Sequence, residues 1–262
     1  MNPSPFRFEP GRSALLISVP HAGTCVPPEI QARLTPAAKD LPDTDWHVPR
    51  LYEACRALDA TFLVAEYSRY VVDLNRPPDG TPLYPGQAET GVCPTRTFAD
   101  QPLYPDGRTP DATEVQQRIL DYWRPYHLKL ADAIDAIRTE HGHCILWDAH
   151  SILSRVPLFF DGRLPDLNVG TADGRSCSRT RAQCIMKALE AQRRFSVVHN
   201  GRFKGGYITR HYGDPSRGVD AIQLEIAQCA YMDETRLQHF DPALAADLSV
   251  LLKELLSAVI KA

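Results

Sequence analysis

At 262 residues and 44% apolar, the chain is long enough to bury a substantial core, and one domain over residues 1–262 is expected. A formal charge of −3 with scattered arginines lacks the basic patch that a phosphate backbone requires, and no run of about 18 apolar residues is present to cross a bilayer. The opening residues MNPSPFRFEPG carry no leader pattern, so the expected setting is the cytoplasm, with neither nucleic acid nor membrane as partner. Seven cysteines form no C-x-x-C pair, which argues against a disulfide framework or a thiolate metal site and for reduced packing thiols.

In chain order, β-branched and aliphatic runs bounded by turn or polar residues predict strands at 14–19, 61–66, 70–74, 144–147, 196–198 and 221–226. Helical spacing predicts helices at 48–58, 112–140, 179–192 and 242–260. The second carries Ile119, Tyr122, Trp123, Tyr126, Leu130, Ile134 and Ile137 on its periodic face. Alternating strands and helices of this kind imply an α/β fold. Between them, prolines cluster at 77–110 with Pro-Pro-Asp-Gly and Pro-Asp-Gly turns, a long loop expected to wall or cover a site.

Ligand crevices of open α/β sheets lie beyond the carboxyl ends of the strands, so polar residues there carry the functional expectation. The first strand runs into Pro20-His21-Ala22-Gly23, where the glycine permits close backbone approach. The 144–147 run exits into Asp148-Ala149-His150-Ser151, and Glu225 lies near the end of the 221–226 run. Two imidazoles and a carboxylate converging on one crevice match a catalytic zinc site with a position left for water, and His21 and His150 are the imidazoles. A structural histidine is the ordinary reading for either one taken alone.

For the third ligand, Asp43 and Asp45 both precede a predicted helix, where an N-cap role is the alternative, and His47 competes with them. Asp148 shares a strand face with His150 and is placed to orient an imidazole. Glu225, a charge inside an apolar strand, is the candidate general base. Arg69, Asn75 and Arg76 supply guanidinium and amide donors suited to a carboxylate or an oxyanion, which points to a small anionic substrate, though structural ion pairs would use the same residues. The segment 203–213 combines glycines with Lys204, Tyr207 and Arg210, either closing over a substrate or forming a solvent-facing hairpin.

Six blocks in order, S-V-P-H-A-G, D-T-D-W-H, S-R-Y-V-V-D-L-N-R-P, W-D-A-H-S, G-G-Y-I-T-R-H-Y-G and Q-L-E-I-A-Q, resemble the N-formylglutamate amidohydrolase family over residues 18–228. The resemblance implies a fold similar to the zinc carboxypeptidases and aspartoacylase: a three-layer α/β/α arrangement around a mixed central sheet, phosphorylase/hydrolase-like. It implies hydrolysis of N-formyl-L-glutamate to formate and L-glutamate, in histidine degradation. It further implies Zn2+ on His21 and His150, Glu225 as general base, Arg69 on the oxyanion side, and Asn75 with Arg76 on the substrate α-carboxylate.

One departure matters: the zinc carboxypeptidases place a Glu three residues after the first ligand His, where this chain has Thr24. Asp45 is therefore taken as the third ligand, because divergent relatives retain an acid aligned with it. Arg210, with Lys204 and Tyr207, is the candidate for the side-chain carboxylate of glutamate. Hydrolysis of another N-acyl amino acid such as formylaspartate, or non-catalytic binding of an acidic metabolite, are the rival functions.

Overall fold

Four of the predicted apolar runs lie in the central strands of one sheet. The computed structural model describes residues 3–262. Its strands are β1 (Phe6–Glu9), β2 (Leu15–Val19), β3 (Thr61–Ala65), β4 (Cys144–Ile152), β5 (Leu167–Gly170), β6 (Val197–His199) and β7 (Val219–Ala227). The order across the sheet is β1-β3-β2-β4-β7-β5-β6. β3, β2, β4 and β7 run parallel, whereas β1 joins β3 and β5 joins β7 in antiparallel fashion. β2, β3 and β4 are buried along their whole length, as expected of parallel strands covered on both faces, which read as apolar runs rather than alternating ones.

Helices α1 (Pro28–Gln31), α2 (Pro36–Lys39), α3 (Val48–Leu51), α4 (Ala112–Arg118), α5 (Arg124–His141), α6 (Arg179–Ala191), α7 (Tyr207–Tyr212) and α8 (Pro242–Lys261) complete the chain. Leu15, Ile17 and Val19 of β2 pack in one core with Ile185 and Leu189 of α6 and Leu248, Leu252 and Leu256 of α8. Leu16 points the other way, into a second core with Tyr126, Leu130 and Ile134 of α5. The mixed sheet is thus sandwiched between helices, the alternation of side chains along each strand feeding both layers.

Side-chain caps start the long helices. Asp111 accepts from Glu114 N, Ser178 from Arg181 N, and Asp241 from Ala243 and Leu244 N. Gly142, in the left-handed region, ends α5.

Several expectations are corrected. Residues 70–74 form a buried turn instead of a strand: Tyr70, Val71, Val72 and Leu74 are packed inward, but Asp73 N donates to Val92 O and Asp73 Oδ1 accepts from Asn75 N. The segment 48–58 is α3 followed by the 3-10 turn Glu53–Leu58. The 112–140 helix contains a π-helical turn, Ile119–Trp123, which aims Trp123 at the carbonyl of Arg76 (Nε1 to O, 3.1 Å). The short edge strand β1, the four-residue β5, and α7 inside the glycine-rich segment were not expected. Among the described residues, no helix is long and apolar enough to cross a membrane.

Candidate functional site

The site forms where one face of β4 and β7 changes character. Along that face Cys144, Leu146, Val219 and Ala221 are core residues, and the next residues in the same alternation are Asp148, His150, Gln223 and Glu225. Register pairs His150 with Glu225 and Asp148 with Gln223 on neighbouring strands, so four polar side chains emerge side by side. β2 stops at Val19 and delivers His21 to the same place. Gly23 is required just beyond, because a Cβ there would collide with the backbone of Glu66 and Tyr67.

His21, Asp45 and His150 are buried, and one donor atom from each lies within 4.8 Å of the others. His150 Nδ1 is 3.0 Å from Asp45 Oδ2, and His21 Nδ1 is 3.8 Å from the same oxygen. Each imidazole is held from its far side: His21 Nε2 lies 2.8 Å from Asp73 Oδ1, and His150 Nε2 lies 3.1 Å from Asp148 Oδ2. A carboxylate behind each ring fixes tautomer and orientation, the arrangement that presents Nδ1 to a cation.

The electrostatics agree with that geometry. Burial, then the Arg69 charge, keeps His21 below the usual imidazole range. For His150 burial works in the same direction, but Asp148 and Asp45 outweigh it and hold the ring well above that range. A site that concentrates a proton between buried carboxylates accepts a cation in its place, since metal binding displaces ligand protons. Asp45 Oδ1 is buried without a hydrogen-bond partner, so one ligand-type oxygen is left to be satisfied. Two imidazoles and one carboxylate therefore fit a divalent transition metal.

Of the alternatives for the acidic ligand, Asp43 accepts from Tyr70 Oη (2.7 Å) and Phe98 N (2.9 Å), and His47 Nε2 donates to Leu237 O (2.9 Å). Neither joins the group. Glu225, 7% exposed, receives a hydrogen bond from Gln223 Nε2 at 3.1 Å. Burial pushes its carboxyl up to about 8 against the opposing charge of His150. Arg69 is buried beside the cluster, its Nη2 2.7 Å from Asp73 Oδ2 and its Nη1 3.8 Å from Asp45 Oδ1, with Nε unpartnered.

A cleft opens over these groups, and the Pro-rich segment supplies one wall of it through Tyr84, Ala88, Glu89 and Phe98. Arg76 lines it, with Nε on Thr90 O (2.9 Å) and Nη1 on Asn75 O (3.1 Å). Asn75 is more deeply engaged: Oδ1 accepts from Ile208 N, and Nδ2 lies 3.0 Å from His150 Nε2 and 3.3 Å from Asp148 Oδ2. A Cβ at Gly206 would strike that amide, so glycine lets α7 begin against Asn75.

The structure does not bring Lys204, Tyr207 and Arg210 to the cleft. Lys204 Nζ pairs with Asp173 (3.1 Å), and Tyr207 stacks on His211 with centroids 4.8 Å apart. Arg210 donates to Gly205 O and Leu83 O, both at 2.8 Å, tying the Pro-rich loop down. Two polar lining residues escaped the sequence reading, Arg202 and Gln223, as did the apolar Ile152 and Phe159. Gln223 carried a signal, since it and Glu225 are polar at i and i+2 in an otherwise apolar strand. Arg202 carried none beyond its place after Asn200-Gly201.

Comparison with known proteins bears on this geometry. The family model for N-formylglutamate amidohydrolase matches residues 13–232. N-formylglutamate deformylase of Pseudomonas putida is 47% identical over 253 residues, covering 97% of this chain and 94% of that one. The Pseudomonas aeruginosa deformylase is 48% identical, covering 97% and 95%. A crystal structure of N-formylglutamate amidohydrolase from Ralstonia eutropha superposes with a TM-score of 0.82 at 27% identity, covering 98% and 99%. A gene product of Agrobacterium tumefaciens shares the fold at TM-score 0.72 and 19% identity, covering 98% and 96%.

Proposed function

The chain belongs to the N-formylglutamate amidohydrolase family, and from that premise we propose that it hydrolyses N-formyl-L-glutamate to formate and L-glutamate at the His21–Asp45–His150 centre. The observation that carries the reading is the buried triad with a carboxylate behind each imidazole and Glu225 in register with His150. The donor set favours Zn2+, whose catalytic sites take three protein N or O ligands. Bound there, the ion supplies a Lewis acid that makes water nucleophilic at neutral pH.

The side chains divide the remaining work. Arg76, with Asn75 behind it, holds the substrate α-carboxylate and so fixes the formyl group over the centre. Glu225 takes a proton from the attacking water and returns it to the amine nitrogen as the C–N bond breaks. Arg69 lends positive charge to the oxygen that becomes anionic, its guanidinium already oriented by Asp73. The step belongs to histidine degradation.

Formate release from N-formyl-L-glutamate, followed before and after chelation with metal content measured on the same samples, tests the reading. Activity that leaves with the metal and returns with zinc is expected. A folded, zinc-loaded protein that releases no formate would sink the substrate assignment.

A further inference from the structure

With Lys204, Tyr207 and Arg210 engaged elsewhere, three guanidinium groups line the cleft; Arg69 is paired with Asp73, whereas Arg76 and Arg202 are not ion-paired with a carboxylate among the described residues. Arg202 is half-buried. Its Nε donates to Phe159 O (2.7 Å) and its Nη2 to Ala88 O (3.3 Å). Its guanidinium carbon lies 5.2, 5.8 and 5.4 Å from the ring centroids of Tyr84, Phe159 and Phe203. These contacts immobilise the fork and leave Nη1 without a protein acceptor among the described residues. Glu89 also lines the cleft, but its Oε2 accepts from Leu83 N at 3.2 Å.

Burial is the main influence lowering Arg202 from its ordinary range; Tyr84 and Glu89 oppose it, and the neighbouring charge of Arg76 adds to it. Two cations facing one cleft repel each other, and a dianion lying between them removes that penalty. Their positions differ. Arg76 follows Asn75, which abuts His150, whereas Arg202 enters from the connection between β6 and α7 and reaches across to the Pro-rich loop at Ala88.

We propose that Arg202 takes the side-chain carboxylate of the N-formyl amino acid and sets the preference for an acidic over a neutral side chain, an inference that rests on the deformylase reading above. N-formyl-L-glutamine differs from N-formyl-L-glutamate only in replacing that carboxylate with an amide, so the two compounds isolate this one contact. Arg202→Gln is expected to lose about 10²-fold in kcat/KM on the glutamate compound, mostly through KM, and to change little on the glutamine compound. Arg202→Lys should recover part of the loss. Arg76→Gln should weaken both compounds, since both keep the α-carboxylate.

A loss in Arg202→Gln that is equal on the two compounds, or absent from both, overturns the assignment and leaves Arg202 a packing residue. If the wild-type chain hydrolyses neither compound, the deformylase reading fails by itself, and calorimetric titration of both compounds into the same samples decides the inference. Weaker binding of N-formyl-L-glutamate alone in Arg202→Gln then supports it. Equal or absent binding overturns it.

Discussion

β4 and β7 present two faces built from the same backbone. On the face toward α6 and α8, Ile145, Trp147, Ala149, Ile222, Leu224 and Ile226 form an apolar run, bounded by Asp220, paired with Arg181 of α6, and by Ser151. On the opposite face Cys144, Leu146, Val219 and Ala221 are apolar against α5, and then Asp148, His150, Gln223 and Glu225 take over. Burial does not separate the two, for all four polar residues are at most 7% exposed. The difference lies in what each side chain meets: hydrocarbon on one face, opposed charges on the other. Buried charges cost free energy unless they are paired, so this half-face concentrates chemistry where the rest of the sheet concentrates stability.

The largest test of that contrast removes one charge from the polar half-face while keeping its shape. Glu225→Gln should lower kcat by about 10³- to 10⁴-fold while retaining bound metal and fold. Turnover near that of the wild type would take the base assignment away from Glu225.

A smaller effect is expected on the apolar face, and of a different kind. Leu252 of α8 is fully buried in that core, and Leu252→Ala should cost about 2–5 kcal/mol in denaturant unfolding while leaving KM for N-formyl-L-glutamate unchanged. A shift in KM without a loss of stability would show that the two faces are not separable.

The smallest effect concerns the cover of the mixed face. His127 of α5 donates through Nε2 to Leu74 O (2.8 Å) and stacks on Trp123, and burial pushes it from 6.5 down to about 3. Between those values the unfolded chain binds a proton that the folded chain does not, so stability rises with pH across that window and is lost as pH falls through it. This single group contributes a slope of up to about 1.4 kcal/mol per pH unit. In urea melts from pH 7 to 4, His127→Gln should show a flatter dependence than the wild type. Identical slopes would assign the acid sensitivity to other groups.

The central strands were legible because burial on both faces leaves continuous apolar runs, as in Leu15–Val19 and Thr61–Ala65. The same signal misled at 70–74, whose Tyr-Val-Val-Asp-Leu reads as a strand. There Asp73 is drawn inward to meet His21, Arg69 and Asn75 N, and the chain turns to satisfy it. β5 was missed because four residues, Leu167–Gly170, carry too short a period to register. The glycine-rich stretch concealed α7, whose first turn is set by contact with Asn75 rather than by helix propensity.

Local sequence therefore determined the α/β alternation, the long helices with their capping residues, and the polar groups at the ends of β2, β4 and β7, since each follows from periodicity over a few neighbouring residues. The resemblance had favoured Asp45 over Asp43, but only tertiary structure supplied the contacts that set Asp45 against the imidazoles, and it alone decided that Arg210 anchors a loop and that Arg202 enters the cleft. Asp43 and Asp45 are two residues apart and chemically identical. Only the contacts of Asp43 with Tyr70 and Phe98, and of Asp45 with His150 and Ser151, distant in the chain, separate them. Contacts of that range are fixed by how the layers pack, and no local pattern encodes them.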